Sequence, residues 1–137
     1  MIGIAIVTHG KLGVELIKTA EGIVGSLEKV KAVSSIPSDT LDEIMRKVCE
    51  AIEEVDTGEG VILLTDLFGG SSSTTCAALG NNRNLKVISG VNLPMLIDLA
   101  FHRNQHNLSE VAALAKKAGQ RAIVDVCEVL AKRMKET

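Results

Sequence analysis

Short runs of apolar residues alternate with stretches of helical periodicity along most of the chain. Residues 2–7 are apolar on both faces and rich in β-branched side chains, a pattern typical of a strand that is buried on both sides. Comparable runs at residues 30–36, 61–64 and 85–89 predict three further strands. A parallel sheet covered by helices on both faces is the arrangement that buries such strands.

The residues between these strands carry apolar side chains every three or four positions, as amphipathic helices do. The first two sets are Leu12, Leu16, Ala20, Ile23 and Leu27, and then Leu41, Ile44, Met45, Val48, Ile52 and Val55. Ser38 or Asp39 is placed to cap the second helix. We therefore predict an α/β fold with three layers, in which a parallel sheet lies between two layers of helices.

The second half of the chain continues the alternation. A small, hydroxyl-rich helix is predicted to end at Leu79, and Pro94 suits the first turn of a helix over residues 95–103. Asn107 and Glu110 have capping-box spacing, and Gly119 is placed to end the helix that follows them.

Residues 121–126 form a β-branched segment near the C-terminus. They predict a short antiparallel strand, and an exposed strand of this kind invites pairing with a second copy of the chain. The alternative interpretation is a helix from Gln120 to Met134 that packs on its own subunit.

Polar residues follow two of the predicted strands at the same edge of the sheet. His9 follows the first strand and Asp66 follows the third. Ligands of parallel sheets bind at the carboxyl ends of the strands, where the strand order reverses. If these two strands are neighbours, a carboxylate that accepts the Nδ1 proton of His9 leaves Nε2 as a nucleophile. Without that neighbour, His9 is equally well interpreted as a structural residue.

The segment after Asp66 has the composition of an anion-binding loop. Gly69 and Gly70 allow backbone N–H groups to approach an anion, and Ser71 adds a hydroxyl donor at the start of a helix. Taken alone, a tight turn between a strand and a helix explains the glycines equally well. Beside a nucleophilic histidine, the loop predicts a phosphate cradle.

Composition and charge narrow the range of partners and locations. The chain has 137 residues, a formal net charge of -2, two Phe, and neither Tyr nor Trp. These values disfavour nucleic-acid binding and predict one globular domain over residues 1–137. Three widely spaced cysteines without a CxxC motif predict buried, reduced thiols. The N-terminal apolar run is too short to span a membrane, so we expect a soluble cytoplasmic protein without direct membrane insertion.

Three separated motifs carry a resemblance to a known family. VTHG after the first strand, LLTDLFGGS after the third and ISGVNLPML after the fourth resemble the IIA component of the mannose-family sugar phosphotransferase system (PTS). The resemblance extends over nearly the whole chain. It implies a parallel sheet of order 2-1-3-4 and a homodimer in which the terminal strand is exchanged between subunits.

The same resemblance implies a function and a set of site residues. His9 would accept a phosphoryl group from the phosphocarrier protein HPr and pass it to an EIIB component of the PTS, so the chain would act as a phosphotransferase. Asp66 would orient His9, while Thr8, Gly70 and Ser71 would contact the phosphoryl group. N–H donors and a helix terminus stabilise the phosphoryl oxygens in this chemistry, so neither a metal nor another cofactor is expected.

Two alternatives stay open at this point. The chain has Ser72, Ser73 and Thr74 where the family commonly shows a proline and, two residues further, an asparagine. This difference leaves room for a regulatory module in which phosphorylation of His9 changes partner binding without sugar transport. A phosphocarrier subunit of a dihydroxyacetone kinase is the other alternative, although the GVNLPML segment favours the sugar system.

His102 and His106 are the other histidines, and they lie four residues apart. That spacing can bind a metal on a helix, but Arg103 stands where a metalloprotease has its glutamate. A solvated helix end is the favoured interpretation.

Overall fold

The computed structural model describes residues 1–67 and 84–136, and the strands within them form a parallel sheet. The strands are β1 (Gly3–His9), β2 (Val30–Ser35), β3 (Val61–Thr65) and β4 (Leu85–Ser89). Their order across the sheet is β2-β1-β3-β4, which confirms the order that the family resemblance implied. In the register of the sheet, His9 lies opposite Ser35 of β2, and Val7 lies opposite Thr65 of β3.

Helices cover both faces of this sheet, as the two-sided apolar strands predicted. The described helices are α1 (Leu12–Val24), α2 (Leu41–Val55), α3 (Leu93–His102), α4 (Leu108–Arg121) and α5 (Val126–Glu136). Side chains of α1, α3 and α4 pack with Ile4, Ile6 and Leu64 on one face. Side chains of α2 pack with Val7 and Leu63 on the other. Alternate residues of a strand point to opposite faces, so each central strand contributes to both clusters.

The structure confirms the cap predicted at Asn107, adds a cap at Asn92 that the sequence analysis did not name, and changes the residue that caps α2. Asn92 and Asn107 accept the backbone N–H groups of Met95 and Glu110, respectively. The predicted cap of α2, Ser38 or Asp39, is wrong, because Thr40 accepts the N–H of Glu43 at 3.1 Å. The side chain of Asp39 is engaged elsewhere, as described below.

The predicted end of the fourth helix at Gly119 is also wrong. Gly119 is buried within α4, which continues to Arg121. The amide of Asn92 donates to the carbonyl of Gly119 at 3.1 Å, and a Cβ atom at Gly119 would come within 2.8 Å of Met95 Cε. The glycine therefore allows a close approach between α3 and α4.

Neither interpretation of the C-terminal segment is confirmed. The predicted strand over residues 121–126 is wrong, because Arg121 ends α4 and Val126 begins α5. A continuous helix from Gln120 is wrong as well, because residues 123–125 are not helical. Asp125 accepts the N–H of Glu128 at 3.1 Å. This capping interaction starts a new helix at Val126, the last residue of the segment, and so limits how far its β-branched residues can extend.

The cysteines differ in part from the predicted pattern. Cys49 is half-buried and Cys127 is exposed, and both are free thiols, so the prediction of burial is wrong for Cys127. Cys76 and the predicted helix ending at Leu79 lie outside the described residues. Within residues 1–67 and 84–136, no helix is both long enough and apolar enough to cross a membrane.

Candidate phosphoryl-acceptor site

The structure brings His9 and Asp66 together at the carboxyl edge of the sheet. Oδ2 of Asp66 lies 2.9 Å from Nδ1 of His9 and accepts the backbone N–H of the same residue at 2.9 Å. Sequence reasoning anticipated the contact to the ring but missed the contact to the backbone. A carboxylate that holds one residue at two points fixes both the main chain and the ring of that residue.

The ionisation of Asp66 determines which ring nitrogen of His9 carries the proton. Burial raises the pKa of the Asp66 carboxyl, but hydrogen bonds from the His9 backbone and ring and from the Leu67 N–H lower that pKa more, so it lies below its ordinary value. An ionised carboxylate can only accept hydrogen bonds. Nδ1 of His9 must therefore donate, and in the neutral ring Nε2 carries the lone pair.

The His9 ring is open to solvent, whereas its carboxylate partner is not. The side chain of His9 is 58% exposed and that of Asp66 is 11% exposed. Gly10 follows with φ +56, a conformation that glycine adopts without strain. Its N–H donates to the carbonyl of Ser35 at 2.9 Å. The chain thus turns away directly after His9 and leaves the ring accessible.

Thr8 has a different environment from His9, because neighbouring residues of a strand face opposite sides of the sheet. Thr8 is fully buried. Its Oγ1 accepts the N–H of Gly13 at 2.8 Å in the first turn of α1. In this structure Thr8 therefore anchors the start of α1, and its contact with a phosphoryl group stays a prediction.

The remaining predicted site residues, Gly70 and Ser71, lie outside the described residues. The cradle that they were predicted to form therefore stays a prediction.

Comparison with known proteins identifies the family. The family model of the PTS system fructose IIA component, EIIA-man, matches residues 3–116. This match covers most of the chain, including β1, β3 and the His9–Asp66 pair. The chain belongs to the mannose-family EIIA components of the PTS.

A curated relative of the chain agrees with its assignment to the EIIA family. The chain is 32% identical over 124 residues to the PTS system mannose-specific EIIAB component of Escherichia coli K12, a match covering 89% of this chain and 38% of the relative. The chain thus corresponds to well under half of that relative's length.

Solved structures of other EIIA proteins have the same fold. An EIIA component from Streptococcus agalactiae is 25% identical with a TM-score of 0.86, and the match covers 93% of this chain and 99% of the other. A mannose/sorbose-specific IIA subunit from Enterococcus faecalis is 28% identical with a TM-score of 0.81, with 90% and 93% covered.

The candidate site also includes a cavity beside His9 that sequence reasoning missed. The cavity has a volume of about 480 Å³, and its lining includes His9, Gly10, Ser35, Ile36, Pro37 and Asp39. Its outer wall is thus the connection between β2 and α2. The sequence did offer a signal for this cavity. Pro37 and Asp39 follow β2, and β2 ends at the same edge of the sheet as His9.

The two other histidines of this EIIA chain lie in α3 and in the connection that follows it, away from the His9 cavity. His102 Nδ1 lies 3.0 Å from Asp98 Oδ1, and His106 Nδ1 lies 3.2 Å from Glu110 Oε2. Their ring centroids are 6.2 Å apart. In the part of the chain that the structure describes, no group of three or more His, Cys, Asp or Glu residues could hold a metal ion.

Proposed function

We propose that this EIIA protein is a phosphohistidine carrier, in which His9 accepts a phosphoryl group from phosphorylated HPr and passes it to an EIIB component. The observation that carries the proposal is the hydrogen bond between Asp66 and Nδ1 of His9, at 2.9 Å on an otherwise exposed ring. This arrangement leaves Nε2 of His9 as a free nucleophile in solvent.

The proposed step is a direct transfer between two ring nitrogens. Nε2 of His9 attacks the phosphorus atom of the donor phosphohistidine, and a new N–P bond forms. The N–P bond of the donor breaks, and its electron pair returns to the donor ring. Because Nδ1 of His9 keeps its proton, the His9 ring gains positive charge, which the Asp66 carboxylate stabilises.

The predicted cradle completes the proposed site. Gly70 and Ser71 would donate hydrogen bonds to the phosphoryl oxygens, and Thr8 would contact the same group or support it through the start of α1. Such donors stabilise a phosphoryl group without a metal. In this proposal the protein needs no cofactor.

The family assignment supports the proposed partners. EIIA components belong to a phosphotransferase system, and the Escherichia coli relative is named as a joint A and B component. An EIIB component is therefore the proposed recipient of the phosphoryl group. With soluble phosphoryl partners, the proposed location of the protein is the cytoplasm.

The direct test is incubation with phosphoenolpyruvate, enzyme I and HPr, followed by mass spectrometry of the intact protein. The expected result is one added phosphoryl group of about 80 Da, in a bond that is labile to acid and stable to base. An unchanged mass with active partner proteins would contradict the proposal.

Histidine variants supply the matched controls. His9→Ala should abolish the modification, because it removes the nucleophile. His102→Ala and His106→Ala should leave it unchanged, because both rings lie outside the His9 cavity. Loss of the phosphoryl group in either control would place the acceptor elsewhere.

We also propose that the protein is a homodimer. Nothing in α5 is buried within its own chain, and Val126, Leu130 and Met134 are 60%, 52% and 77% exposed on successive turns of it. Ile123 and Val124 in the preceding segment are exposed as well. A second copy of the chain would cover this apolar surface. Light scattering should give the mass of a dimer for the full chain. After deletion of residues 121–137 it should give the mass of a monomer. A shortened chain that remains a dimer would refute this interface.

A further inference from the structure

The connection between β2 and α2, residues 36–40, is held by a carboxylate that is nearly enclosed. One oxygen of Asp39, Oδ2, accepts the N–H of Ile36 at 3.0 Å and the ammonium of Lys47 at 2.9 Å. Lys47 also donates to the carbonyl of Ser34 at 3.3 Å. Both ends of the connection are thereby tied to the second turn of α2.

This pair differs from the other ion pairs of the helix. The side chain of Asp39 is 6% exposed and that of Lys47 is 33% exposed, whereas the Arg46–Glu50 pair on α2 is exposed on both sides. Exposed pairs contribute little because solvent screens them and both side chains stay mobile. The Ile36 N–H and Lys47 lower the pKa of the Asp39 carboxyl, as expected for a carboxylate that is used in its ionised form.

The held segment faces the reactive histidine. Ile36 and Pro37 line the cavity that contains His9, and Ile36 is 49% exposed. Ser35, one residue earlier, accepts the N–H of Gly10. A continuous series of hydrogen bonds therefore runs from Lys47 through Asp39 and the end of β2 to the residue that follows His9.

We propose that Asp39, together with Lys47, positions the Ile36–Pro37 wall as the contact surface for the phosphorylated donor protein at His9. The inference rests on the proposed function and adds a residue that acts on donor binding. Asp39 is a positioning residue, since it contacts Ile36 and Lys47 and has no part in the bond changes at Nε2. An apolar wall that is already ordered loses less conformational entropy when a protein binds to it.

The test compares two phosphoryl donors of different size. Phosphorylated HPr must dock on the protein, whereas phosphoramidate is small enough to reach His9 without a protein contact. In Asp39→Ala, the KM for phosphorylated HPr should rise about fivefold to tenfold, the factor expected when a freed loop segment must be ordered again on binding. The kcat with HPr and the rate with phosphoramidate should both stay near the wild-type values, because lost binding that is uniform along the reaction changes KM alone.

Three further variants separate positioning from general damage. Asp39→Asn keeps an oxygen that can accept the Ile36 N–H, so its KM should lie closer to wild type than that of Asp39→Ala. Lys47→Met removes the ammonium that donates to Asp39 and should also raise the KM for phosphorylated HPr. This variant tests the same contact if Asp39→Ala does not fold. Glu50→Gln disrupts the exposed Arg46–Glu50 pair on the same helix and should leave both donors unaffected.

The outcomes distinguish this inference from the proposed function. An unchanged KM in Asp39→Ala and Lys47→Met, or an equal loss of rate with both donors, would overturn the positioning role while His9 phosphorylation stands. A wild-type protein that accepts no phosphoryl group from HPr would overturn the proposed function, and the inference with it.

Discussion

Replacement of Asp66 by asparagine tests the central contact of the site. The carboxylate accepts hydrogen bonds from three N–H groups. Oδ2 accepts the backbone N–H and the ring N–H of His9, and Oδ1 accepts the backbone N–H of Leu67. An amide has one acceptor oxygen and one NH₂ group. If the NH₂ group faces Nδ1, it favours the tautomer with the proton on Nε2, which cannot attack phosphorus.

The expected magnitude follows from the charge that is lost. A hydrogen bond to a charged group contributes about 1.5–3 kcal/mol, and each 1.36 kcal/mol of barrier changes a rate about tenfold. The full range corresponds to a rate reduced about tenfold to 150-fold. Because the His9 side chain is 58% exposed, solvent screens the pair, and we expect the lower end, about tenfold to thirtyfold.

The assay is rapid mixing of the variant with phosphorylated HPr at saturating concentration, with His9 phosphorylation measured at each time. The change in the free energy of unfolding should be at most about 1 kcal/mol, since one net hydrogen bond near solvent is lost. Asp98→Asn is the matched control. It alters the other close Asp–His pair, Asp98–His102 at 3.0 Å, and should leave the rate unchanged. An Asp66→Asn rate equal to wild type would refute the role of Asp66 in orienting His9.

Three other predictions concern stability. The pKa values of Asp39 and Asp66 are lowered in the folded protein, so the stability that they contribute is complete above about pH 3.9 and is lost as the pH falls through the lowered values. In urea unfolding between about pH 2 and 6, the free energy of unfolding of Asp39→Asn should therefore fall less steeply with acid than that of the wild type. An identical fall in the two proteins would contradict the lowered pKa of Asp39. Thr8→Val should cost about 1–3 kcal/mol, because it leaves the N–H of Gly13 without its buried acceptor; an unchanged urea midpoint would contradict this. Gly3→Ala should lower the free energy of unfolding, measured by thermal unfolding, by more than about 2 kcal/mol, because its Cβ would collide with the Val55 backbone. Gly22→Ala in α1 has open space around it and should instead stabilise the protein by about 0.5–1 kcal/mol. Equal effects of the two substitutions would refute the packing argument.

The sequence by itself determined the strands, most of the helices and the edge of the sheet at which the candidate site lies. Apolar residues on both faces of β1 and β3 require burial on both sides, and this requirement is local to each segment. Caps such as Asn107 are equally local, since the side chain and its partner are three residues apart. The position of His9 and Asp66 at the ends of buried strands then indicated the candidate site, because parallel strands end at one common edge.

Only the tertiary structure decided how these elements meet. The hydrogen bonds between His9 and Asp66 join residues 57 positions apart, and they exist because β1 and β3 are neighbours in the sheet. The role of Asp39 has a different origin, because its partners lie at the end of β2 and on α2. Its sequence position indicated a helix cap, but the approach of Lys47 and the Ile36 N–H drew the carboxylate into the wall of the His9 cavity.

The C-terminal segment shows where local preference fails. The β-branched residues after Arg121 favour a strand, but a strand needs a hydrogen-bonded neighbour, and the folded chain brings none to these residues in the part that the structure describes. Asp125 can cap a helix with atoms three residues away. Gly119 failed as a helix end because α4 continues past it to Arg121, where the missing side chain leaves room for Asn92 and Met95 to pack closely. The Asn107 cap and the meeting of His9 with Asp66 at one edge of the sheet were readable in advance, whereas the burial of Gly119 against Asn92 and the pairing of Asp39 with Lys47 depend on how helices pack and were not.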